Sequence, residues 1–122
     1  MATVLAVDDD PVILRLLEVN LEMEGYSVVL ANDGEEALVK AREHHPDLVL
    51  LDVMMPKKDG WSVAAAMRED PRLSDVPIVF LTARAQDTDI QKGTELGVSA
   101  YVTKPFDPID LLELIEELVA AD

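Results

Sequence analysis

Four carboxylates carry the first chemical signal in the sequence. Asp8, Asp9 and Asp10 follow directly on an apolar run at residues 4–7, and Asp52 follows directly on another at 48–51. Both runs have the length and the Val/Leu content of strands buried on both faces. If the two strands lie side by side, their ends are about 4.8 Å apart, and Asp8, Asp9 and Asp52 share one small space. Carboxylates that close repel one another, so the cluster must take up a proton or a cation. Hard oxygen ligands with no histidine or cysteine among them suit Mg²⁺, with Mn²⁺ as a substitute. Magnesium keeps several waters and recruits phosphate oxygens, which points to phosphoryl chemistry. A helix cap accounts for Asp10, which stands before Pro11, but one helix end does not need three.

Two more polar residues close strand-like runs. Thr82 stands beyond the run at 78–81 and Lys104 beyond the run at 100–102. A hydroxyl and an ammonium at one sheet edge can hold the oxygens of a phosphoryl group. Taken singly, Thr82 reads as a cap and Lys104 as a surface lysine. Their weight comes from standing at the ends of different strands.

Bringing such residues together requires strands that all end on one side. The five apolar runs, at 4–7, 28–31, 48–51, 78–81 and 100–102, alternate with helical patterns, as expected of a parallel sheet with helices on both faces. Functional groups of such sheets gather beyond the carboxyl ends of the strands. Asp10-Pro11 and Asp107-Pro108 each place a capping acceptor before a helix-starting proline, and Gly25 suits a left-handed cap. Asp33 with Glu36 has the spacing of a capping box. A third helix is expected over 60–69, ending before Pro71, with Gly60 permitting a tight turn and Asp59 supporting it. The fourth, over about 87–96, has Ile90 and Leu96 as its strongly apolar residues and carries Gly93, so it is the weakest. His44 and His45 read as helix-end residues, Met55 as a gap filler and Trp61 as packing.

With these pieces in order, the sequence resembles the response-regulator receiver domains of two-component signalling. Val7-Asp8-Asp9-Asp10, Leu51-Asp52-Val53-Met54-Met55-Pro56-Lys57-Lys58-Asp59-Gly60, Leu81-Thr82-Ala83 and Tyr101-Val102-Thr103-Lys104-Pro105-Phe106 carry the likeness, which extends from Val4 to Val119. It implies a flavodoxin-like α/β fold, (βα)5 with strand order 2-1-3-4-5, as a single receiver domain over 1–122. It further implies that Asp52 accepts a phosphoryl group from a sensor histidine kinase, a phosphotransfer protein or a small phosphodonor. By the same likeness Asp9 ligates Mg²⁺ directly, Asp8 acts through water, and Asp52 and the Met54 carbonyl complete the metal site. Lys104 pairs with the phosphoryl group, Thr82 turns toward it, and Tyr101 follows as the switch residue. Met54 and Arg84 flank the path of the attacking water and tune dephosphorylation, and the Lys104-Pro105 bond is cis. The resemblance describes a signalling domain that assists its own phosphorylation and dephosphorylation, without substrate turnover. It controls a partner or output domain through the fourth helix, the fifth strand and the fifth helix.

Composition bounds these expectations. Among 122 residues, 49% are apolar, 25 Asp and Glu oppose 10 Lys and Arg for a formal charge of −15, and there is no cysteine. Disulfides and thiolate metal sites are thereby excluded. A surface of that charge repels phosphate backbones, so no nucleic-acid binding by this chain alone is expected, and a downstream partner should present a basic surface. Without an apolar run of about 18 residues, and with no basic-then-apolar leader after Met1, a soluble, cytoplasmic protein without membrane contact is expected. Between Pro105 and the end there are six acidic residues and no basic one. Receivers that dimerise through basic residues on the fifth helix differ in this respect.

Three other readings compete. An FMN module of the same fold needs a Ser/Thr/Gly-rich loop where Asp8-Asp9-Asp10 stands. A phosphohydrolase with an aspartyl-phosphate intermediate needs a general acid two residues after its nucleophile, where Met54 stands. A phosphate-independent receiver-like interaction module has no need of the complete acceptor set.

Overall fold

Five short strands form one parallel sheet in the order β2-β1-β3-β4-β5. A computed structural model of the chain describes residues 2–55, 58–83 and 97–120. The elements are β1 (Thr3–Val7), α1 (Pro11–Met23), β2 (Ser27–Ala31), α2 (Gly34–His44), β3 (Leu48–Leu51), α3 (Gly60–Glu69), β4 (Ile78–Thr82), β5 (Ala100–Thr103) and α4 (Pro108–Ala120). The helix expected over 87–96 lies outside the described residues, so α4 is the fifth of the expected helices.

Strand periodicity builds the core in two halves. Leu5 and Val7, Val49 and Leu51, Ile78 and Phe80 face one side, where they meet Leu38 and Ala41 of α2 and Val63 and Met67 of α3. The alternate residues Val4, Ala6, Leu48, Leu50, Val79 and Leu81 face the other, against Leu14, Leu17 and Leu21 of α1 and Leu111 and Ile115 of α4. The side-chain period of two thus explains why the runs are apolar without alternation. Met55 and Trp61 are partly buried against the α2/α3 half, in keeping with packing roles.

Capping follows the sequence closely. Asp10 accepts a hydrogen bond from the Val12 amide, Asp107 from Ile109 and Asp59 from Ser62. Gly25 takes φ 89° after α1, and His45 closes α2 at φ 47°. The box at α2 forms with one change. Asp33 accepts from the Glu36 amide at 2.8 Å, but the Glu36 carboxylate accepts from the Asn32 amide at 3.1 Å.

Gly60 has a different reason from the turn expected of it. It is the first residue of α3, packed so near β3's end that a Cβ would lie 2.5 Å from the Asp52 carbonyl oxygen and 2.8 Å from Val53 Cα. Close backbone approach, and not turn conformation, requires glycine there.

Candidate functional site

The register of the sheet places the acidic residues. In the β1–β3 pair Val7 stands opposite Leu51, so Asp8 and Asp52 leave adjacent strands at one level. The Asp52 amide donates to the Val7 carbonyl at 3.0 Å and the Asp8 amide to the Ala31 carbonyl at 3.2 Å. These bonds carry the ladder one residue past the strands and fix both backbones. Asp8 and Asp52 are 1% and 5% exposed, whereas Asp9 is open to solvent. One carboxylate oxygen from each of Asp8, Asp9 and Asp52 lies within 4.8 Å of the others. Asp10 turns away to cap α1, and its amide donates to Asp8 Oδ1 at 2.9 Å.

Lys104 enters from the far side of the sheet. Its Nζ donates to Asp8 Oδ2 at 2.6 Å and reaches Asp52 Oδ2 at 3.5 Å. The Lys104 amide donates to the Thr82 carbonyl at 2.7 Å, and the Lys104-Pro105 peptide is cis. Thr82 proves to be the last residue of β4, fully buried, where the apolar run had suggested a residue beyond the strand. Strand alternation puts it on the face of Phe80. Tyr101 pairs in register with Phe80, and the two rings meet edge to face at 5.9 Å. Thr82, Phe80 and half-buried Tyr101 therefore share one side of the sheet. The Met54 amide donates to Asp52 Oδ1 at 3.3 Å, and the Met54 residue is 50% exposed. Arg84 lies outside the described residues.

The electrostatics follow from this crowding. Burial, reinforced by the charge of Asp8, raises the Asp52 carboxyl from 3.8 to about 6, against the pull of Lys104 and the Met54 amide. Burial also works against the Lys104 ammonium, yet the Asp8 hydrogen bond and the charges of Asp52 and Asp8 outweigh it and hold Lys104 above its ordinary value. One ammonium offsets part of three carboxylates. The donor set is all hard oxygen, without nitrogen or sulfur ligands, and so fits an Mg²⁺-like ion.

One contributor was not singled out from sequence. A Cβ on Gly34 would collide with the Lys58 carbonyl oxygen and stand 2.7 Å from Lys58 Cβ. The start of α2 thus abuts the loop that follows Asp52. The available signal is a glycine at a first helical residue, about 1 kcal/mol worse than alanine within a helix.

The residues with chemical potential are thus gathered at the carboxyl edge of one parallel sheet, from four of its strands. A family model for the response regulator receiver domain matches residues 4–116. The chain belongs to this family. Over 95% of its length this receiver domain is 49% identical to a probable transcriptional regulator, ycf27, of Cyanophora paradoxa, covering 47% of that protein. It is 42% identical over 98% of its length to the DNA-binding dual master transcriptional regulator RpaA of Synechocystis sp., covering 49% of it. The chain therefore spans about half the length of these curated relatives. Among solved structures, the chemotaxis protein CheY4 of Vibrio cholerae superposes with a TM-score of 0.92 at 36% identity, over 97% of this chain and 98% of that one. No helix among the described residues is long and apolar enough to cross a membrane.

Proposed function

We propose that this receiver domain accepts a phosphoryl group on Asp52, with Mg²⁺ held by Asp8, Asp9, Asp52 and the Met54 carbonyl. The observation that carries the reading is the buried Asp52 carboxylate beside Asp8, with Lys104 Nζ 2.6 Å from one and 3.5 Å from the other. When bound, the metal supplies positive charge that offsets the carboxylates and the oxygens of the incoming group. An Asp52 oxygen attacks phosphorus, forming an acyl phosphate as the bond to the donor breaks. The donor's leaving atom takes the bonding pair and later a proton. Lys104 moves from Asp8 to the arriving oxygens and spreads their charge. The Met54 amide holds Asp52 Oδ1, which leaves Oδ2, the oxygen facing Lys104, to react.

A sensor histidine kinase, a phosphotransfer protein or a small phosphodonor would supply the group. Thr82 then hydrogen-bonds the phosphoryl group and relieves the face it shares with Phe80, so that Tyr101 shifts inward. A change of this kind biases an equilibrium between two arrangements. The relatives' names point to regulators of transcription, so an output module that contacts DNA is a fitting partner for the switched face. The chain's own charge of −15 disfavours DNA contact by the receiver itself.

Intact-mass spectrometry tests the assignment. With acetyl phosphate and Mg²⁺ the mass should rise by one phosphoryl group, and chelation should prevent it. Gain of the same mass by Asp52→Asn would show that another residue is the acceptor.

A further inference from the structure

Arg68, in the last turn of α3, joins two separate stretches of chain. Its guanidinium donates to the carbonyl oxygens of Ser74 and Val76, both at 2.9 Å, and to that of Gly97 at 3.1 Å. The first two belong to the connection between α3 and β4. The third lies three residues ahead of β5, where Gly97 takes φ 71°, a conformation open to glycine at no steric cost. A planar fork with five donors can serve several carbonyls at once, whereas an ammonium is a single centre.

The strand that follows needs such an anchor. β5 is a four-residue edge strand paired with β4 alone. Its backbone bonds run from the Ser99 amide on the Ile78 carbonyl, 2.8 Å, to the Lys104 amide on the Thr82 carbonyl, 2.7 Å. A short edge strand fixes its register with few bonds, and a slip of one residue sends each side chain to the opposite face. Such a slip takes Tyr101 off Phe80. It also carries Lys104 about 3.3 Å along the strand and turns its side chain toward the opposite face, away from Asp8.

We propose that Arg68 is a positioning residue for Lys104. By tying Gly97 to the α3–β4 connection it sets how deeply β5 enters the sheet, and so where the ammonium stands at the strand's other end. The consequence for phosphoryl transfer rests on the reading of Asp52 as acceptor.

Two readouts test this on the full chain. Amide hydrogen exchange without metal compares wild type, Arg68→Met and Arg68→Lys, and acetyl phosphate labelling in Mg²⁺ is followed by intact mass. In Arg68→Met the Ser99 and Lys104 amides should lose protection about tenfold, the scale of one lost bond to a charged group, while β1 and β3 keep theirs. Labelling should slow by a similar factor, whereas introducing Arg68→Met into a Lys104→Ala protein should slow it no further, because Arg68 acts through Lys104. Arg68→Lys, which keeps the charge but loses the span, should show the same pattern more weakly, and it serves alone if Arg68→Met does not fold. Equal loss of protection in all strands, additive effects with Lys104→Ala, or an Arg68→Lys protein indistinguishable from wild type would overturn the proposal. If the wild type gains no phosphoryl mass, the Asp52 reading fails, and the exchange data still decide the role of Arg68.

Discussion

Replacing Asp52 by asparagine should stabilise the metal-free protein, although it removes the central residue of the site. The native fold raises the Asp52 carboxyl from 3.8 to about 6, which means that folding opposes its ionisation. At about 1.4 kcal/mol per pH unit, the ionised group costs about 3 kcal/mol at pH 8. Asparagine has nearly the same shape, can still accept from the Met54 amide, and leaves Lys104 its 2.6 Å partner, Asp8. The value of about 6 already contains the pull of Lys104, and solvent screening at the open edge of the site lowers the expected gain to about 1–3 kcal/mol. For a domain of this size that corresponds to a rise in melting temperature of about 4–10 °C. The pH dependence has a definite sign. A carboxyl raised by folding loses stability for the protein as pH climbs from 3.8 through about 6. The advantage of Asp52→Asn is therefore full above pH ~7, about half by pH 5, and gone well below pH 4. Thermal melts in EDTA across this range measure it, with exposed Glu117→Gln as a control expected to stay within about 0.5 kcal/mol. A mutant that melts at or below wild type at pH 8, or a gain that stays constant from pH 8 to 5, would refute the reasoning. Mg²⁺ should then reverse the order, since a ligand at a hundred times its Kd adds about 2.7 kcal/mol to the protein that binds it.

Other outcomes follow from the same geometry. Asp9→Asn should also melt above wild type in EDTA and respond less to Mg²⁺; an equal metal response in Asp9→Asn, Asp52→Asn and wild type would contradict a shared cation site. Gly60→Ala should cost about 2–4 kcal/mol, at or above the usual range for overpacking, because its Cβ would meet backbone at 2.5 and 2.8 Å; urea denaturation measures this. On the family resemblance, which sets Met54 and Arg84 beside the path of the attacking water, Met54→Asn with Arg84→Glu should speed loss of phosphate; unchanged or slower loss in a mass-spectrometric decay would count against it. Thr82→Ala should accept phosphate yet show a smaller phosphorylation-dependent change in amide exchange across residues 84–106, and an undiminished response there would remove Thr82 from the switch.

Much of this architecture was legible because strands covered on both faces leave little choice of residue. The runs at 48–51 and 78–81 are apolar throughout since each residue meets one core half or the other. The same criterion misplaced strand ends. Thr3, Ser27, Thr82 and Thr103 belong to strands, yet hydroxyl residues stand outside an apolar count, and Thr82 was read one residue too far out. The cluster of Asp8, Asp9 and Asp52 was readable from strand ends alone once β1 and β3 were placed side by side. Contacts that join distant backbone, such as Gly34 with Lys58 or Arg68 with Gly97, left no pattern of period or spacing. Glu36 kept its helix-start role but found the Asn32 amide, a difference of one residue that backbone direction decides.

The bond between Lys104 and Asp8 closes a loop of 96 residues, and its contact with Asp52 spans 52. Closing loops of this length costs more chain entropy than forming the local helices. Until β5 docks, Asp8 and Asp52 face each other without their counter-ion, so assembly of the sheet's centre works against a repulsion that its edge relieves. On the reading of Asp52 as acceptor, a chain with β5 undocked would hold that aspartate without the lysine that stands beside it in the folded sheet.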